Sequence, residues 1–250
     1  MTLVSRRRIL TRSKMLDFLQ GLENTVTAEA RSLYLSPEVP STEVTSLLKE
    51  MPIHPDILPE ITELAESSKN GAALFFSPEH IYMVLPPFPF AVSSSVSGFN
   101  IETLNSRLRC DYTIALILVR LGAYAVGVCS GEKLLSSKVG TGLVHGKHKK
   151  GGSSQQRFAR HREKQIEYFM TRVCQHAHEH LQTLDKKLDY MVYGGAWTTI
   201  QLLQKQCHFL GQLDTRTLPP LLDIPEPRKA VLTAAITRIW SSTLIEWTET

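Results

Sequence analysis

The sequence predicts an α/β (α+β) protein built on a mixed β-sheet with helices on its faces. Three strand-like segments follow one another at residues 113–120, 123–130 and 133–146, separated by short turn-forming stretches. After them, helical and strand-like patterns alternate to the end of the chain. Consecutive strands favour antiparallel pairing and a strand reached through a helix favours parallel pairing, so we expect both in one sheet.

The composition is that of a globular protein. The 250 residues are 42% hydrophobic and 21% charged, which excludes wholesale disorder. The longest apolar segment, 112–129, is interrupted by Arg120 and Gly122, so no membrane span is expected. The N-terminal residues lack the apolar stretch of a signal peptide, and the four cysteines include no C-x-x-C pair. We therefore expect reduced thiols and a cytoplasmic location.

Residues 1–110 are expected to form an amino-terminal α+β region. Apolar residues recur every three or four positions in the first 35 residues, which predicts an amphipathic helix. Proline and serine clusters separate the segments that follow. These are a short strand from Ser32, two helices within 42–68, a hairpin within 72–90 and a connector over 91–108.

Residues 111–250 form the second expected domain. A helical pattern over about 155–184 would be roughly 45 Å long at 1.5 Å per residue, which is longer than a small domain needs. The elements expected after it are a strand at 190–195, a helix over about 196–207, a strand at 221–224 and a helix over 226–247.

Positive charge is concentrated between His145 and Gln165. This segment holds seven basic side chains and one acidic one, Glu163, whereas the whole chain has a net charge of +4. Such density suits a phosphate backbone, although a solvated basic face has the same composition. The seven basic residues are Lys147, Lys149, Lys150, Arg157, Arg160, Arg162 and Lys164.

The same segment contains a small-residue tip before the long helix. Gly151 and Gly152 permit unusual backbone conformations, and Ser153 and Ser154 precede Gln155 at the expected helix start. The free N–H groups of a helix N-terminus favour anions. No Walker A pattern is present. The same residues are also typical of a plain linker, and a serine at this position is typical of a helix N-cap.

This segment resembles a known family. A glycine-containing loop that ends in glutamine, placed after three strands and before a long basic helix, is similar to the catalytic domain of archaeal and eukaryotic class I release factors. The stretch GGSSQQRFARHRE resembles the bacterial branch of the Vms-type release factors, whose loop reads G-x-x-Q, as Gly152 to Gln155 do here. The resemblance extends over roughly residues 70–250 and places this loop within 146–156.

The resemblance implies a peptidyl-tRNA hydrolase of ribosome quality control. Its implied partners are peptidyl-tRNA and the large ribosomal subunit, without a metal, another cofactor or a membrane. An uncharged amide is a poor general base, so Gln155 would hold a water and donate to the developing oxyanion. The implied catalytic residues are Gln155, Gly151, Gly152 and Ser154, and the seven basic residues would bind RNA.

Two other functions are also compatible with this sequence. Eukaryotic relatives of the same family are implied to cut tRNA near its 3′ end, and the chain could also be a non-catalytic module that binds RNA or the ribosome. The adjacent Gln156 could take the place of Gln155, because the double glutamine allows a one-residue shift of the loop.

Other residue clusters favour ordinary structural roles. The histidines of HAHEH lack an evident third metal ligand, so we expect solvated side chains at His176, His178 and His180. The strand order also resembles the ribonuclease H fold, but its would-be carboxylates precede their strands and suit turns better. These carboxylates are Asp111, Asp189 and Asp223. The aromatic residues expected in the core are Trp197, Trp240, Trp247, Phe158 and Phe169.

Overall fold

The chain divides into two compact units. The computed structural model describes residues 3–24, 29–146, 153–182, 184 and 187–249, without the side chains of residues 3, 153–155 and 249. One unit comprises Met1–Cys110 together with Thr237–Thr250, and the other comprises Asp111–Ile236. The second expected domain, 111–250, is therefore too long at its C-terminal end.

The first unit is an antiparallel sheet with a helical layer on each face. The strand order is β1-β10-β4-β3-β2-β5. Helices α2 and α3 pack on one face around Leu33 and Trp247, and helices α1 and α4 pack on the other around Met15 and Phe75. The strands are β1 (Leu3–Leu10), β2 (Arg31–Leu35), β3 (Ala72–Phe76), β4 (Ile81–Leu85), β5 (Ser94–Ser97) and β10 (Ser242–Glu249). The helices are α1 (Arg12–Glu23), α2 (Ser41–Lys49), α3 (Leu58–Ser67) and α4 (Glu102–Arg109).

Two expectations for this unit are wrong, one is right in part, and others are confirmed. The amphipathic helix expected within the first 35 residues is present as α1, but a strand precedes it, because β1 pairs along its whole length with β10. The connector over 91–108 contains β5 and α4. The last helix ends at Ile239, and the residues after it form β10, which pairs with β1 and β4. The hairpin β3–β4 and the two helices α2 and α3 are confirmed.

The second unit contains the mixed sheet that the sequence predicts. Strands β8, β7 and β6 pair antiparallel, and β9 pairs parallel to β6, in the order β8-β7-β6-β9. The expected strand at 221–224 is reduced to a single parallel bridge between Gly194 and Leu222. The strands are β6 (Thr113–Arg120), β7 (Ala123–Ser130), β8 (Lys133–Thr141) and β9 (Tyr190–Gly195). The helices are α5 (Ser153–Leu181), α6 (Trp197–Gln206), α7 (His208–Gly211) and α8 (Lys229–Ile239), with a 3₁₀ turn at Asp214–Arg216. The last three residues of α8 belong to the first unit.

Helix α5 is anchored through its C-terminal half. Its 29 residues extend about 44 Å, and the long helix predicted from the sequence is confirmed. A disulfide between Cys174 and Cys207 joins α5 to the end of α6, so the expectation of reduced thiols is wrong for this pair. Two positions 33 residues apart become neighbours only when both helices pack on the sheet. The residues that α5 buries are Phe169, Met170, Val173, Ala177 and Leu181.

Among the helices of the described residues, none combines the length and the apolar character that crossing a membrane requires.

Candidate functional site

The N-terminal half of α5 extends away from the core of its own unit. Residues 156–161 are all exposed, and the first fully buried residue of the helix is Phe169. Gln155 precedes Phe169 by 14 positions, which corresponds to about 21 Å along the helix axis. The sequence explains this, since the stretch from Gln155 to Gln165 has almost no apolar side chains to bury.

The predicted loop is described only in part. Gly151, Gly152 and three basic residues, Lys147, Lys149 and Lys150, lie outside the described residues. The backbone of Ser153, Ser154 and Gln155 forms the first turn of α5. The first N–H groups of a helix have no acceptor within the helix, so this turn offers donors next to Gln155.

The chain segment that leads from β8 to the loop is fastened to α5 at His145. The backbone N–H of His145 donates to Oε1 of Gln165 at 3.1 Å. The Nε of Arg162 donates to the carbonyl oxygen of His145 at 2.8 Å. About two turns after Gln165 along the helix, Arg172 donates from Nη1 to the carbonyl oxygen of Thr141 at 3.2 Å. Both backbone groups of His145 are therefore satisfied by side chains of the helix.

The predicted RNA-binding residues of α5 fall into two groups. Arg157, Arg160 and Lys164 are exposed, whereas Arg162 is half-buried and bonded to His145. The role of Arg162 as an anchor was missed, because a hydrogen bond to a backbone 17 residues away leaves no mark in the sequence pattern. The anchoring role of Gln165, which accepts the backbone N–H of His145, was missed for the same reason.

A groove lies between residues 145–146 and the N-terminal half of α5. Its volume is about 460 Å³, and the rings of His145 and His161 lie 6.3 Å apart at its wall. Among the described residues, its lining contains two arginines and no carboxylate. The lining residues are His145, Gly146, Arg157, Phe158, His161, Arg162 and Gln165.

Of the five aromatic residues expected in the core, three are buried and two are exposed. Phe169, Trp240 and Trp247 are buried, as predicted. Phe158 and Trp197 are 58% and 59% exposed, so the prediction that they belong to the core is wrong. Phe158 lies on α5 ahead of Phe169, the first fully buried residue of the helix.

The histidines of HAHEH have separate structural partners. His176 bonds through Nδ1 to Oε2 of Glu179 at 2.9 Å, and this contact is the main cause that lowers the pKa of that carboxyl. Nδ1 of His180 lies 3.1 Å from Oγ of Ser136, and the ring of His178 meets Phe209 edge to face. Three helix positions thus interact with three different neighbours.

The aspartates considered for a ribonuclease H site are also engaged in the fold. Oδ2 of Asp189 accepts a hydrogen bond from the backbone N–H of Thr113 at 2.7 Å. Oδ1 of Asp223 lies 3.8 Å from Nη2 of Arg120. Within the part of the chain that the structure describes, no group of three or more His, Cys, Asp or Glu side chains is arranged to hold a metal ion.

Comparison with known proteins identifies the family. The family model of the Actinobacteria/chloroflexi VLRF1 release factor matches residues 112–245, more than half of the chain. The chain belongs to this release factor family. The resemblance that the sequence analysis drew from the loop and the basic helix is thereby confirmed at the level of the class I release factor superfamily.

Curated relatives of this release factor are archaeal. Peptide chain release factor subunit 1 of Aeropyrum pernix is 27% identical over 181 residues, which are 62% of this chain and 48% of that protein. The subunit of Thermococcus sibiricus is 29% identical over 147 residues, which are 54% of this chain and 35% of that protein. The chain thus spans half or less of the length of these relatives.

Two solved structures match most of the chain at low identity and low TM-score. The match to an archaeal translation termination factor covers 92% of this chain and 73% of the chain of that factor, with a TM-score of 0.40 and 19% sequence identity. The match to Dom34 of S. cerevisiae, a translation termination-like factor, covers 94% of this chain and 66% of the Dom34 chain, with a TM-score of 0.33 and 8% sequence identity.

Proposed function

We propose that this release factor is a peptidyl-tRNA hydrolase that frees the nascent chain at stalled ribosomal complexes. The loop from Gly152 to Gln155 would deliver the reactive groups. Peptidyl-tRNA and the large ribosomal subunit would be its partners, and the cytoplasm its location. Family membership supports a release factor role, and the finer assignment rests on the residues of α5.

The observation that carries the proposal is the position of Gln155. Its backbone lies in the first turn of α5, about 21 Å along the helix axis from the first fully buried residue, Phe169. The end of α5 is thereby held away from the core that supports the helix, where it can enter a narrow site on a large partner. The anchor at His145 supports the other end of the same loop.

The chemistry requires a positioned water and donors for an oxyanion. Water adds to the carbonyl carbon of the ester between the nascent chain and the terminal ribose, and a tetrahedral oxyanion forms. The bond from this carbon to the ribose oxygen then breaks, and the ribose oxygen takes up the proton that the water loses. The amide of Gln155 can accept from the water through its carbonyl and donate through its N–H₂ group. It does not change protonation state at neutral pH, so its contribution is orientation.

The basic residues would provide the RNA contacts. Arg157, Arg160 and Lys164 are exposed on the same part of the helix. Each phosphate that a cation neutralises releases a counterion, so binding should weaken as salt increases. This contribution does not depend on base sequence, which suits a factor that acts on many tRNAs.

The test is a matched pair of glutamine variants. We expect Gln155→Ala to lower the rate of peptide release about 10²- to 10³-fold, the usual effect of losing one oxyanion-type donor, with ribosome association unchanged. Gln156→Ala, one position along the same exposed helix, is the control and should retain release. Release at the normal rate by Gln155→Ala would contradict the proposal.

The size of the RNA product decides between ester hydrolysis and tRNA cleavage. After incubation with a stalled peptidyl-tRNA complex, the proposal expects a deacylated tRNA with its 3′ end intact. A tRNA shortened near its 3′ end would indicate a phosphodiester reaction instead.

A further inference from the structure

We propose that the groove between residues 145–146 and α5 binds one unstacked nucleotide of single-stranded RNA, with its base stacked on Phe158. This inference rests on the proposed function, because it names the recognition element that would work beside the loop. It assigns a role to the groove and to an exposed aromatic side chain that the loop chemistry does not use.

Phe158 is exposed on the N-terminal half of α5. The residue is 58% exposed, although it is apolar and lies among strongly polar residues. A planar ring on a surface that also carries cations is the arrangement by which proteins bind single-stranded nucleic acid. The base stacks on the ring, and its phosphate is held by a cation.

The second argument is the charge around the groove. Arg157 and Arg162 line it, whereas the acidic residues of this half of the helix, Glu163 and Glu167, line a separate groove with Lys205. The helical period places these carboxylates on a different side of α5 from Phe158 and His161. The groove therefore presents cations to a phosphate, and none of its described lining residues carries a competing carboxylate.

The third argument is that the groove is pre-formed. Its wall at His145 is held by the hydrogen bonds to Arg162 and Gln165, so little conformational entropy is lost when a ligand enters. A volume of about 460 Å³ lies in the range of small-ligand pockets, and a nucleotide is a ligand of that size.

The test compares aromatic variants in the full chain. The probe is a fluorescein-labelled six-nucleotide RNA that ends in CCA, and binding is measured by fluorescence anisotropy. We expect Phe158→Ala to weaken binding about 5- to 150-fold and Phe158→Trp to retain it, because stacking needs only a planar ring. Tyr168→Ala is the control, since Tyr168 is 69% exposed on the same helix but is not part of the groove. Binding by Phe158→Ala within twofold of the unmodified chain, or an equal loss in Tyr168→Ala, would overturn the inference.

Two competitors distinguish the source of the nucleotide. If full-length tRNA displaces the probe and tRNA trimmed of its three terminal nucleotides does not, the groove binds the acceptor end. Equal displacement by an unrelated single-stranded RNA supports a segment of ribosomal RNA as the ligand. Displacement only by duplex RNA would contradict stacking, because the bases of a duplex are already stacked.

The inference and the proposed function can fail separately. A chain that binds the probe through Phe158 but releases no peptide would refute the hydrolase and leave the groove assigned. A chain that releases peptide through Gln155 while Phe158→Ala binds and releases normally would refute the groove alone.

Discussion

The Nε of Arg162 donates to the carbonyl oxygen of His145 at 2.8 Å, across 17 residues of chain that contain the whole G-x-x-Q loop. This bond closes the loop at its base. Arg162 therefore differs from the neighbouring cation Arg160, which is exposed. The two arginines carry the same charge, and only their positions on the helix separate a support of the loop from a free cation on the surface.

We expect Arg162→Ala to loosen the segment before the loop. A hydrogen bond of this kind contributes about 1 kcal/mol, which corresponds to roughly fivefold faster amide exchange at residues 142–146. Hydrogen exchange with mass spectrometry measures this directly. Arg160→Ala removes the same charge and should leave the exchange of this segment unchanged. Equal acceleration in both variants would show that charge, and not the bond to His145, holds the segment.

A substitution in β8 tests the packing of the sheet against Phe169 of α5. The ring of Tyr124 occupies the position that a Cβ at Gly140 would take, and this ring packs edge to face on Phe169 at 5.9 Å. We expect Gly140→Ala to lower the free energy of unfolding by about 1–3 kcal/mol, because the tyrosine must move against the helix. Urea unfolding measures the change.

The control for this substitution is Gly146→Ala. A Cβ at Gly146 meets no atom of the described residues within 4 Å, so the free energy of unfolding should stay within about 0.5 kcal/mol of the unmodified chain. Equal effects at the two glycines would contradict the close contact at Tyr124.

The disulfide between α5 and the end of α6 should stabilise the second unit. Closing a segment of 33 residues restricts the unfolded chain by about 3–4 kcal/mol in the loop-entropy description. We expect a reductant to lower the unfolding midpoint of the oxidised protein accordingly. The double variant Cys174→Ser/Cys207→Ser should not respond to the reductant, although it retains Cys110 and Cys129. A midpoint that is the same with and without reductant would argue against a stabilising bond.

Two tryptophans provide a matched test of the C-terminal strand. The Nε1 of Trp247 donates to Oε2 of Glu60 at 2.9 Å, and the ring is buried, whereas Trp197 is 59% exposed. We expect Trp247→Phe to lower the free energy of unfolding by about 2 kcal/mol, since it removes a donor to a carboxylate. Trp197→Phe should change it by less than about 0.5 kcal/mol. A larger loss at Trp197 would contradict the placement of β10 in the first unit.

The elements that the sequence predicts well are those with a local signal. Strands β6, β7 and β8 are continuous apolar or alternating segments joined at Gly122 and Gly131, so neighbouring residues carry the information. The long helix is equally evident, because its buried residues repeat over several turns. The hairpin β3–β4 belongs to the same group.

The elements that were missed depend on distant partners. Residues 242–249 have a pattern that continues a helix, yet they form a strand because β1, at the opposite end of the chain, and β4 supply its hydrogen bonds. The register pairs Leu3 with Glu249, a separation that no local period can reveal. Local propensity is weak compared with such pairing.

The candidate site shows the same division. The G-x-x-Q spacing and the concentration of cations are properties of consecutive residues, so the sequence could suggest both Gln155 and a family. The anchoring by Gln165 and the exposure of Phe158 depend on where α5 leaves its sheet, and the sequence analysis assigned Phe158 to the core.

The order of residues by itself determined a mixed sheet, a long basic helix and a glycine-glutamine loop at the start of that helix. Only the tertiary structure decided that β10 returns to the first unit, that Cys174 meets Cys207, and that Arg162 closes the loop at His145. The physical reason is the range of the forces involved. Helical and strand periods arise between neighbours in the chain, whereas burial and strand pairing are contacts between surfaces that come together only when the chain folds.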